Sequence, residues 1–323
     1  MPYPDIPAYI LGVTKEIWED RGISTLERYY DENIVVRSPA SVVVGNDGIM
    51  AATMATLHEF PDRQLYGEDV IWYETAQGTA LSSHRLICTA THAAHGAYGA
   101  PSGRELKYRI IAECHVDGTV IDDEWLVRDQ SAIALQLGLS AKEYARTLID
   151  QEGGPEHCVR PLTPSNDVKG PYQGRGNNDP WAARYSEQLC RIMAGDLSVI
   201  SATYDRAVHL SLPGGVEALG QAAADRFWLG LRASFPSAEF RVEHAIGRHD
   251  PTMPPRAALR WSLHGRHDGG GSFGRPTGAQ VYVMGLSHAE FGSLGVEDPR
   301  LRREWIALDE TAIWKQILLA TGQ

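Results

Sequence analysis

The chain has 323 residues, of which 43% are hydrophobic and 22% are charged, so it can bury enough apolar surface to fold as two globular domains. Its formal net charge is −11 and it contains no run of Lys or Arg, which argues against nucleic acid or an anionic membrane as a partner. The first residues lack the features of a secretory signal, and the four cysteines lack the spacing of a disulfide framework or a zinc site. We therefore expect a cytoplasmic protein with reduced thiols.

In chain order, the first half begins with helical patterns and continues with strands. Apolar residues recur at helical spacing over 6–17, and a capping box predicts a second, short helix that reaches Tyr30. A strand over 34–39 leads to a third helix over 46–59, which ends at a Phe-Pro pair because proline cannot continue it. Four further strands are then predicted, bounded by turn residues, at 65–74, 79–92, 104–116 and 119–127.

The second half repeats the first at an offset of 175 residues. The glycine-rich loop HGAYGAPSG at 95–103 returns as GGSFGRPTG at 270–278, and Arg85 corresponds to Arg260. Such self-similarity at a fixed offset indicates two copies of one structural unit. The quoted loop is expected to join two long strands, with glycines at positions that need unusual backbone angles.

The repeat predicts two domains joined by a linker. We expect the domains to extend over 1–150 and 179–323, and the segment 151–178, rich in Gly, Pro and Asn, to connect them. In the second domain we expect a helix from Pro180, a strand over 207–212 and a helix over 216–234. Helices followed by a run of antiparallel strands are typical of an α+β fold, with a curved sheet wrapped around the helices.

Two segments of each copy carry a family resemblance. The loop THAAHGAYGAPSG at 91–103 and the closing segment EWLVRDQSAIALQLG at 124–138, which returns as EWIALDETAIWKQ at 304–316, resemble the SnoaL-like polyketide cyclase branch of the NTF2-like superfamily. The resemblance implies tandem NTF2-like cones, each a curved, mostly antiparallel sheet packed on about three helices around a deep pocket. It also implies an intrachain pseudo-dimer of the two domains and leaves a further homodimer open.

The second copy departs from this pattern in two places. An Asp-Gly-Gly-Gly run at 268–271 replaces the His-Gly element of the loop, and the final Gln-Leu-Gly is not kept beyond Gln316. These departures predict that the second copy has drifted toward a supporting role.

The catalytic candidates follow from the resemblance, which implies intramolecular aldol chemistry by an acid/base aspartate, without metal or cofactor. The aspartate falls on Asp129 and Asp309, and a histidine on the preceding strand falls on His115. In the second copy the histidine on this strand is His288, which aligns with Glu113 and not with His115. An aldol or isomerisation step needs a base for the proton next to a carbonyl, and an apolar pocket raises the pKa of a carboxylate toward that task.

The strand before Asp129 carries a carboxylate and an imidazole in both copies, in opposite order. Glu113 and His115 correspond to His288 and Glu290, and residues two apart on a strand share a face. A two-residue type I′ turn after His115 puts His115 and Asp129 on opposite faces, whereas a type I turn with a glycine bulge puts them on one face. The alternative is that Glu113 and His115 form a solvated cross-strand pair.

Further pocket residues are predicted from their chemistry. Arg85 and Arg260 suit the anchoring of a substrate carboxylate or phosphate, or alternatively pair with a carboxylate across strands. The other predicted substrate-binding residues are Tyr98, Glu113, Trp125, Glu290 and Trp305. Histidines near the strand ends do not match the spacing of a closed zinc site, so we expect no metal.

We therefore predict a cofactor-independent SnoaL-like enzyme that carries out aldol cyclisation or isomerisation on a small carbonyl-bearing substrate in an apolar pocket. Two alternatives stay open. One is a noncatalytic small-molecule-binding or assembly module, since fold does not fix function. The other is water addition to an epoxide, which needs an Asp-Arg-Asp cluster that Asp129 with Arg85 or Arg109 matches in part.

Overall fold

The computed structural model describes residues 3–75, 77–292 and 297–322. In chain order the first half contains α1 (Ile6–Thr14), a π-helical turn (Lys15–Glu19), a 3₁₀ turn (Ile23–Thr25), α2 (Leu26–Tyr29), β1 (Tyr30–Ser38), β2 (Ser41–Val44), α3 (Asn46–Glu59), β3 (Gln64–Glu74), β4 (Ala80–Thr91), β5 (Glu105–Asp117), β6 (Val120–Arg128), α4 (Gln130–Leu137) and α5 (Ala141–Gln151). The second half contains α6 (Pro180–Met193), α7 (Ser198–Thr203), β7 (Tyr204–Leu212), a 3₁₀ turn (Pro213–Gly215), β8 (Val216–Leu219), α8 (Gln221–Ser234), β9 (Glu239–Arg248), β10 (Arg256–Arg266), β11 (Gln280–Phe291), β12 (Leu301–Ala307) and α9 (Glu310–Thr321).

Each half forms one six-stranded sheet with the same strand order. The orders are β2-β1-β6-β5-β4-β3 and β8-β7-β12-β11-β10-β9, so the two sheets are topologically identical. Within each sheet one pair of strands is parallel, β1 with β6 and β7 with β12, and the other neighbours are antiparallel. The predicted α+β fold of two tandem, mostly antiparallel units is confirmed.

The residue registers of the two sheets match position by position. Leu86 lies opposite Ile110 in the first sheet, and Trp261 lies opposite Gly285 in the second. The closing strands also correspond, because the pair Cys114 and Glu124 recurs as Ala289 and Glu304. Because the registers match, each paired strand position of one half has a counterpart in the other half.

Short edge strands are where the structure departs from the sequence-based expectation. The predicted helix over 216–234 begins only at Gln221, because the first residues form the edge strand β8. Gly220 separates the two elements with a φ of 86°, a backbone conformation that favours glycine. The equivalent strand β2 was not predicted either, since neither strand shows an alternating apolar pattern long enough to identify.

The two sheets pack face to face through an apolar cluster between the halves. Its buried members include Ile111 and Val127 from the first sheet and Leu286 from the second. The segment between the halves contributes Leu162 and Tyr172 to the same cluster, although it forms neither helix nor strand. One face of each sheet thus packs against the other half, and the opposite face packs against the helices of the same half.

Within the described residues, no helix is long and apolar enough to cross a membrane. The cytoplasmic location stays a prediction.

Candidate functional site

A cavity of about 300 Å³ lies between the inner face of the first sheet and helices α1 and α3. Its wall is largely apolar, with Ile10 and Val13 on α1 and Ile49 on α3 facing Leu86 and Ile110 on the sheet. A hollow of this size, with a few polar groups among apolar ones, suits a small organic molecule.

Strand β6 presents alternate side chains to this cavity. Glu124, Leu126 and Arg128 line the cavity, whereas Trp125 and Val127 belong to the apolar cluster between the two sheets. The alternation follows from the two-residue period of a strand. The acidic side chain that reaches the cavity from the closing strand is therefore that of Glu124.

Glu124 is 5% exposed and lies beside Tyr30 and Cys114. Burial raises the pKa of Glu124 to about 7, and the neighbouring carboxylate of Asp123 adds to this rise. The Tyr30 hydroxyl and the Cys114 thiol lower the pKa and only partly offset the effect of burial. Both protonation states of Glu124 are consequently populated near neutral pH, which is the condition for a general acid or base.

Two neutral hydrogen-bonding side chains share the cavity with Glu124. Burial lowers the pKa of His84 to about 4, so its imidazole is uncharged at neutral pH. Burial also raises the pKa of Tyr30 well above its ordinary value, which keeps the phenol protonated. A neutral imidazole and a phenol can each donate one hydrogen bond to a bound carbonyl oxygen.

Glu304, the counterpart of Glu124, is enclosed in the core of the second half. Its carboxylate accepts hydrogen bonds from the hydroxyls of Tyr185 at 2.8 Å and Tyr204 at 3.0 Å, and from the indole of Trp228 at 3.4 Å. Burial raises the pKa of Glu304 to about 7 as well. The same acid is therefore present in both halves, but in the second it is surrounded by protein donors.

Aromatic side chains occupy the space in the second half that is open in the first. By register, Trp261 stands where Leu86 stands, and Trp228 on α8 stands where Thr53 stands on α3. Both tryptophans are fully buried, with ring centroids 6.0 Å apart. Gly285 makes room for them, because a Cβ at that position would lie 2.1 Å from an indole atom of Trp261.

His115 lies on the face of the first sheet that is turned toward the second half. Its Nδ1 is 2.6 Å from the carboxylate of Asp122, its Nε2 is 2.9 Å from the hydroxyl of Thr79, and its ring packs on Tyr172. Residue 123, the cross-strand partner of His115, precedes Asp129 by six residues, or about 20 Å along an extended strand. The structure therefore does not bring His115 and Asp129 together.

A bulge in β6 determines which residues share a face with His115. The hairpin closes with a short turn at Gly118, but the register then shifts at Asp122, so that His115 lies opposite Asp123. His115 is thus on the Trp125 side of the sheet, as in the shared-face alternative, although the extra residue lies in the strand and not in the turn. That face contacts the second sheet, so it does not line the cavity.

Asp129 is the N-cap residue of helix α4. Its carboxylate accepts hydrogen bonds from the Ser131 hydroxyl at 2.7 Å and the Ala132 amide at 3.0 Å. Two backbone amides of the second half, Gly214 at 3.1 Å and Gly215 at 3.0 Å, donate to it as well. This buried carboxylate thus accepts four hydrogen bonds from the protein. Catalysis by Asp129 stays a prediction.

Asp309 is the N-cap residue of α9 and reaches the cavity of the other half. It accepts hydrogen bonds from the amides of Thr311 and Ala312, and from the side chain of Gln130 at 2.6 Å. Asp309 and Gln130 both line the cavity of the first half. Burial raises the pKa of Asp309 to about 6, and the charge of Asp129 contributes to the rise.

Arg260 pairs with a carboxylate across the interface between the sheets. Its Nε donates to Glu113 at 2.9 Å, and its guanidinium stacks 3.9 Å from the ring centre of Trp125. Glu113 is fully buried, and although burial acts to raise its pKa, the neighbouring His244 and Arg260 lower it below its ordinary value. These residues form a charged contact between the halves and do not line the cavity.

Arg85 occupies the equivalent place on the other side of the same interface. Its guanidinium lies 2.9 Å from His288, 3.1 Å from Glu68 and 3.6 Å from the ring centre of Trp305. Burial, together with the charge of Arg85, lowers the pKa of His288 well below its usual value, so the imidazole is neutral. The opposite order of carboxylate and imidazole in the two copies therefore gives each arginine a different partner.

The remaining predicted site residues also lie away from the cavity. Glu290 is half-buried and forms a long ion pair of 3.9 Å with Arg303. Tyr98 stacks on Tyr144 with ring centroids 4.5 Å apart, and its hydroxyl is 3.5 Å from Gln130. Within residues 3–75, 77–292 and 297–322, no three His, Cys, Asp or Glu side chains are grouped to hold a metal ion.

Sequence reasoning missed Glu124 and His84. One available signal was that a glutamate precedes a tryptophan in both closing segments, at Glu124 and Glu304. The predicted site residues Trp125 and Asp129 lie on the other face of this strand, so the prediction favoured that face. Both faces of this strand are buried, so its hydrophobic pattern does not identify the face that lines the cavity.

Comparison with solved structures gives several similar folds, each covering less than half of this chain. IdmH from Streptomyces antibioticus, a candidate polyketide cyclase, is 19% identical, with 41% of this chain and 96% of IdmH covered and a TM-score of 0.36. AclR from Streptomyces galilaeus, a candidate hydroxylase, is 21% identical, with 38% and 74% covered and a TM-score of 0.34. A SnoaL-like polyketide cyclase from Agrobacterium tumefaciens is 18% identical, with 41% and 97% covered and a TM-score of 0.33.

Among curated proteins, none matched the chain in sequence. Residues 8–137 match the family model described as SnoaL-like polyketide cyclase. The matched range runs from α1 to the end of α4 and contains the cavity wall on the first sheet together with Glu124. Residues 8–137 therefore match the SnoaL-like polyketide cyclase family, as the loop and the closing segment of the first half predict, and the second half repeats the strand order of the first.

Proposed function

We propose that the first half of the chain binds a small carbonyl-bearing molecule in its cavity and that Glu124 moves a proton on it, in a cyclisation or isomerisation of the SnoaL-like type. The observation that carries this proposal is the matched pair of acids. Glu124 lines an open cavity, whereas Glu304 is enclosed by Tyr185, Tyr204 and Trp228. An acid with a pKa of about 7 beside a largely apolar cavity has the properties of a general base.

The proposed step uses groups that line the cavity. The Glu124 carboxylate takes a proton from the carbon next to the substrate carbonyl, and the electron pair of the broken C–H bond moves to the carbonyl oxygen. The neutral side chains of Tyr30 and His84 are suited to donate hydrogen bonds to the resulting enolate oxygen. The glutamic acid then returns the proton to another carbon in an isomerisation. In a cyclisation, the enolate carbon bonds to a second carbonyl carbon, whose oxygen receives the proton.

We also propose that the second half takes the place of a second subunit, with the domains extending over 1–150 and 179–323. The support is the equivalent contacts from both sides of the interface, where Arg85 stacks on Trp305 and Arg260 stacks on Trp125. In this arrangement the second half contributes Asp309 to the cavity of the first but binds no substrate itself.

Filling the cavity tests whether it is the binding site. The variant Leu86→Trp combined with Ile110→Gly reproduces in the first half the Trp261 and Gly285 pair of the second. We expect a panel of small 1,3-dicarbonyl compounds to raise the melting temperature of the wild type but not of this variant. Ligands that stabilise both proteins equally would contradict the proposal, because they would bind elsewhere.

Exchange of carbon-bound hydrogen tests the role of Glu124 without knowledge of the natural product. In deuterium oxide, the wild type should exchange the acidic hydrogen of a bound ketone, monitored by NMR, with an apparent pKa of about 7. Glu124→Gln should bind the ketone but lose exchange by roughly a hundredfold or more, and Glu304→Gln, the matched control, should exchange normally. Binding without any exchange in the wild type would favour the noncatalytic binding module.

A further inference from the structure

We infer that the cavity of the first half is built for an anionic ligand, an apolar molecule whose carboxylate or other small oxyanion binds Arg63 and Arg128. The inference rests on the proposed function and names the substrate class of the same site. Both arginines line the cavity, and Arg63 is only 4% exposed. Among the described residues, the buried Nε atoms of both arginines have no hydrogen-bond partner.

Other buried arginines of the chain are paired, which makes these two unusual. Arg37 contacts Asp123, Arg85 contacts Glu68 and Arg256 contacts Asp69. No such carboxylate contact within 4 Å is present for Arg63 or Arg128 among residues 3–75, 77–292 and 297–322. Because arginine does not lose its proton in proteins, placing two guanidinium groups that no described carboxylate contacts among apolar side chains carries a desolvation cost.

The titratable groups near both arginines do not supply the missing charge. Both arginines lie near Cys88 and Tyr108. Burial raises the pKa of the Cys88 thiol to about 12 and raises the pKa of Tyr108 as well, so both groups are neutral at pH 7. The carboxylate of Glu19, on the π-helical turn, accepts a hydrogen bond from the Leu65 amide at 2.7 Å instead.

In the second half, where tryptophans fill the equivalent space, apolar residues occupy the positions of the two arginines. By register, Ala238 stands in the place of Arg63 and Leu308 in the place of Arg128. Both replacements are buried and apolar. The unpaired arginines therefore occur in the half with the open cavity and are replaced by apolar residues in the half where tryptophans fill it. This correlation is expected if the arginines serve a ligand and not the fold.

The strand geometry places the two arginines and Glu124 so that they would contact opposite ends of a bound ligand. Arg128 follows Glu124 by four residues on β6, with both side chains on the cavity face, which corresponds to about 13 Å along the strand. Arg63 precedes β3, at the same end of the sheet as Arg128. Two guanidinium groups at one end suit recognition of an oxyanion, and the apolar wall between the ends suits the body of the molecule.

The test compares ligands that differ in charge but share one apolar chain. Decanoate, decyl phosphate and decanamide are titrated into the full-length wild type, Arg63→Ala and Arg128→Leu, with binding followed by calorimetry. The wild type should bind at least one of the two anions tenfold or more tightly than the amide, and each variant should lose most of that preference. The preferred anion distinguishes a carboxylate from a phosphate ligand. Arg191→Leu, on the exposed surface of α6, is the matched control and should bind as the wild type does.

Several outcomes would overturn this inference without affecting the proposed function. Equal affinity of the wild type for the amide and both anions would do so, as would variants that keep the full anion preference. Should either variant fail to fold, Arg63→Lys and Arg128→Lys retain the charge and should keep a measurable anion preference, and its loss from both folded Lys variants would count against the inference. Hydrogen exchange on a neutral ketone that depends on Glu124, together with no preference for anions, would support the proposed function and exclude an anionic substrate.

Discussion

At the scale of single residues, the buried carboxyl of Glu304 links the stability of the second half to pH. Burial raises its pKa from 4.5 to about 7 in the folded protein. Between these values the folded state holds a proton that the unfolded state releases, so the stabilisation is fully present below pH 4.5 and is lost as pH rises through 7. A difference of this size corresponds to at most about 3 kcal/mol in the free energy of unfolding.

We predict that Glu304→Gln reduces the loss of stability between pH 5 and pH 8 by up to about 3 kcal/mol, because the amide does not titrate. Urea denaturation at the two pH values measures this difference. Glu290→Gln is the control, since Glu290 is half-buried and lies outside the core of the second half. If wild type and Glu304→Gln showed the same dependence on pH, the raised pKa of Glu304 would be contradicted.

The residues of the closing strand show how far sequence alone could locate the site. The resemblance to the family was predicted from the segment at 124–138, which also contains the proposed acid. That segment pointed to Asp129, and the proposal of Glu124 depends on which face of β6 meets the helices. Trp125 and Val127 look like a cavity wall in sequence, yet they contact the second sheet. Only the packing of one half on the other reveals that difference.

At the scale of elements, the tryptophans of α8 and β10 fill the core of the second half. Removing a large buried side chain costs its burial free energy and leaves a cavity that the neighbours only partly close. We predict that Trp261→Ala destabilises the protein by about 3–5 kcal/mol, measured by urea denaturation. Leu86→Ala is the matched change in the first half and should cost less, because Leu86 already lines a cavity.

The same variant offers a second measurement, since its new hollow has the shape of an indole. Added indole should raise the melting temperature of Trp261→Ala but not that of the wild type, by binding to the folded state alone. If Trp261→Ala were as stable as Leu86→Ala, the stability of the second half would not depend on the buried Trp261 side chain.

The helices and the edge strands differ in how well their sequences reveal them. The predicted helix over 46–59 coincides with α3, because a Phe-Pro pair marks its end. The edge strands β2 and β8 have four residues each and no clear alternation of buried and exposed positions. Their place beside β1 and β7 is fixed by tertiary pairing, which a local sequence pattern does not contain.

At the scale of the whole molecule, the repeat predicted two equivalent sheets but not the faces through which they meet. Equivalent arginines stack on equivalent tryptophans across the interface, Arg85 on Trp305 and Arg260 on Trp125. Such reciprocal contacts are the arrangement of an interface between two identical subunits. The sequence leaves two roles open for these arginines, binding of a substrate anion or pairing with a carboxylate across strands, since an arginine that faces a ligand and one that faces another sheet have the same strand pattern.

The two arginines of this interface should differ in how much they stabilise the protein. Arg260→Met leaves the fully buried, ionised Glu113 without its guanidinium partner, a change that costs about 3–5 kcal/mol when a buried ion pair is broken. Arg85→Met leaves a neutral His288 and a partly exposed Glu68, neither of which requires a buried counter-charge. Urea denaturation at pH 7 should therefore show a larger loss for Arg260→Met. Adding Glu113→Gln to Arg260→Met should recover part of that loss of stability, because it removes the unpaired charge. If the two arginine variants lost the same free energy of unfolding, the ionised Glu113 would not be the cause of the larger loss.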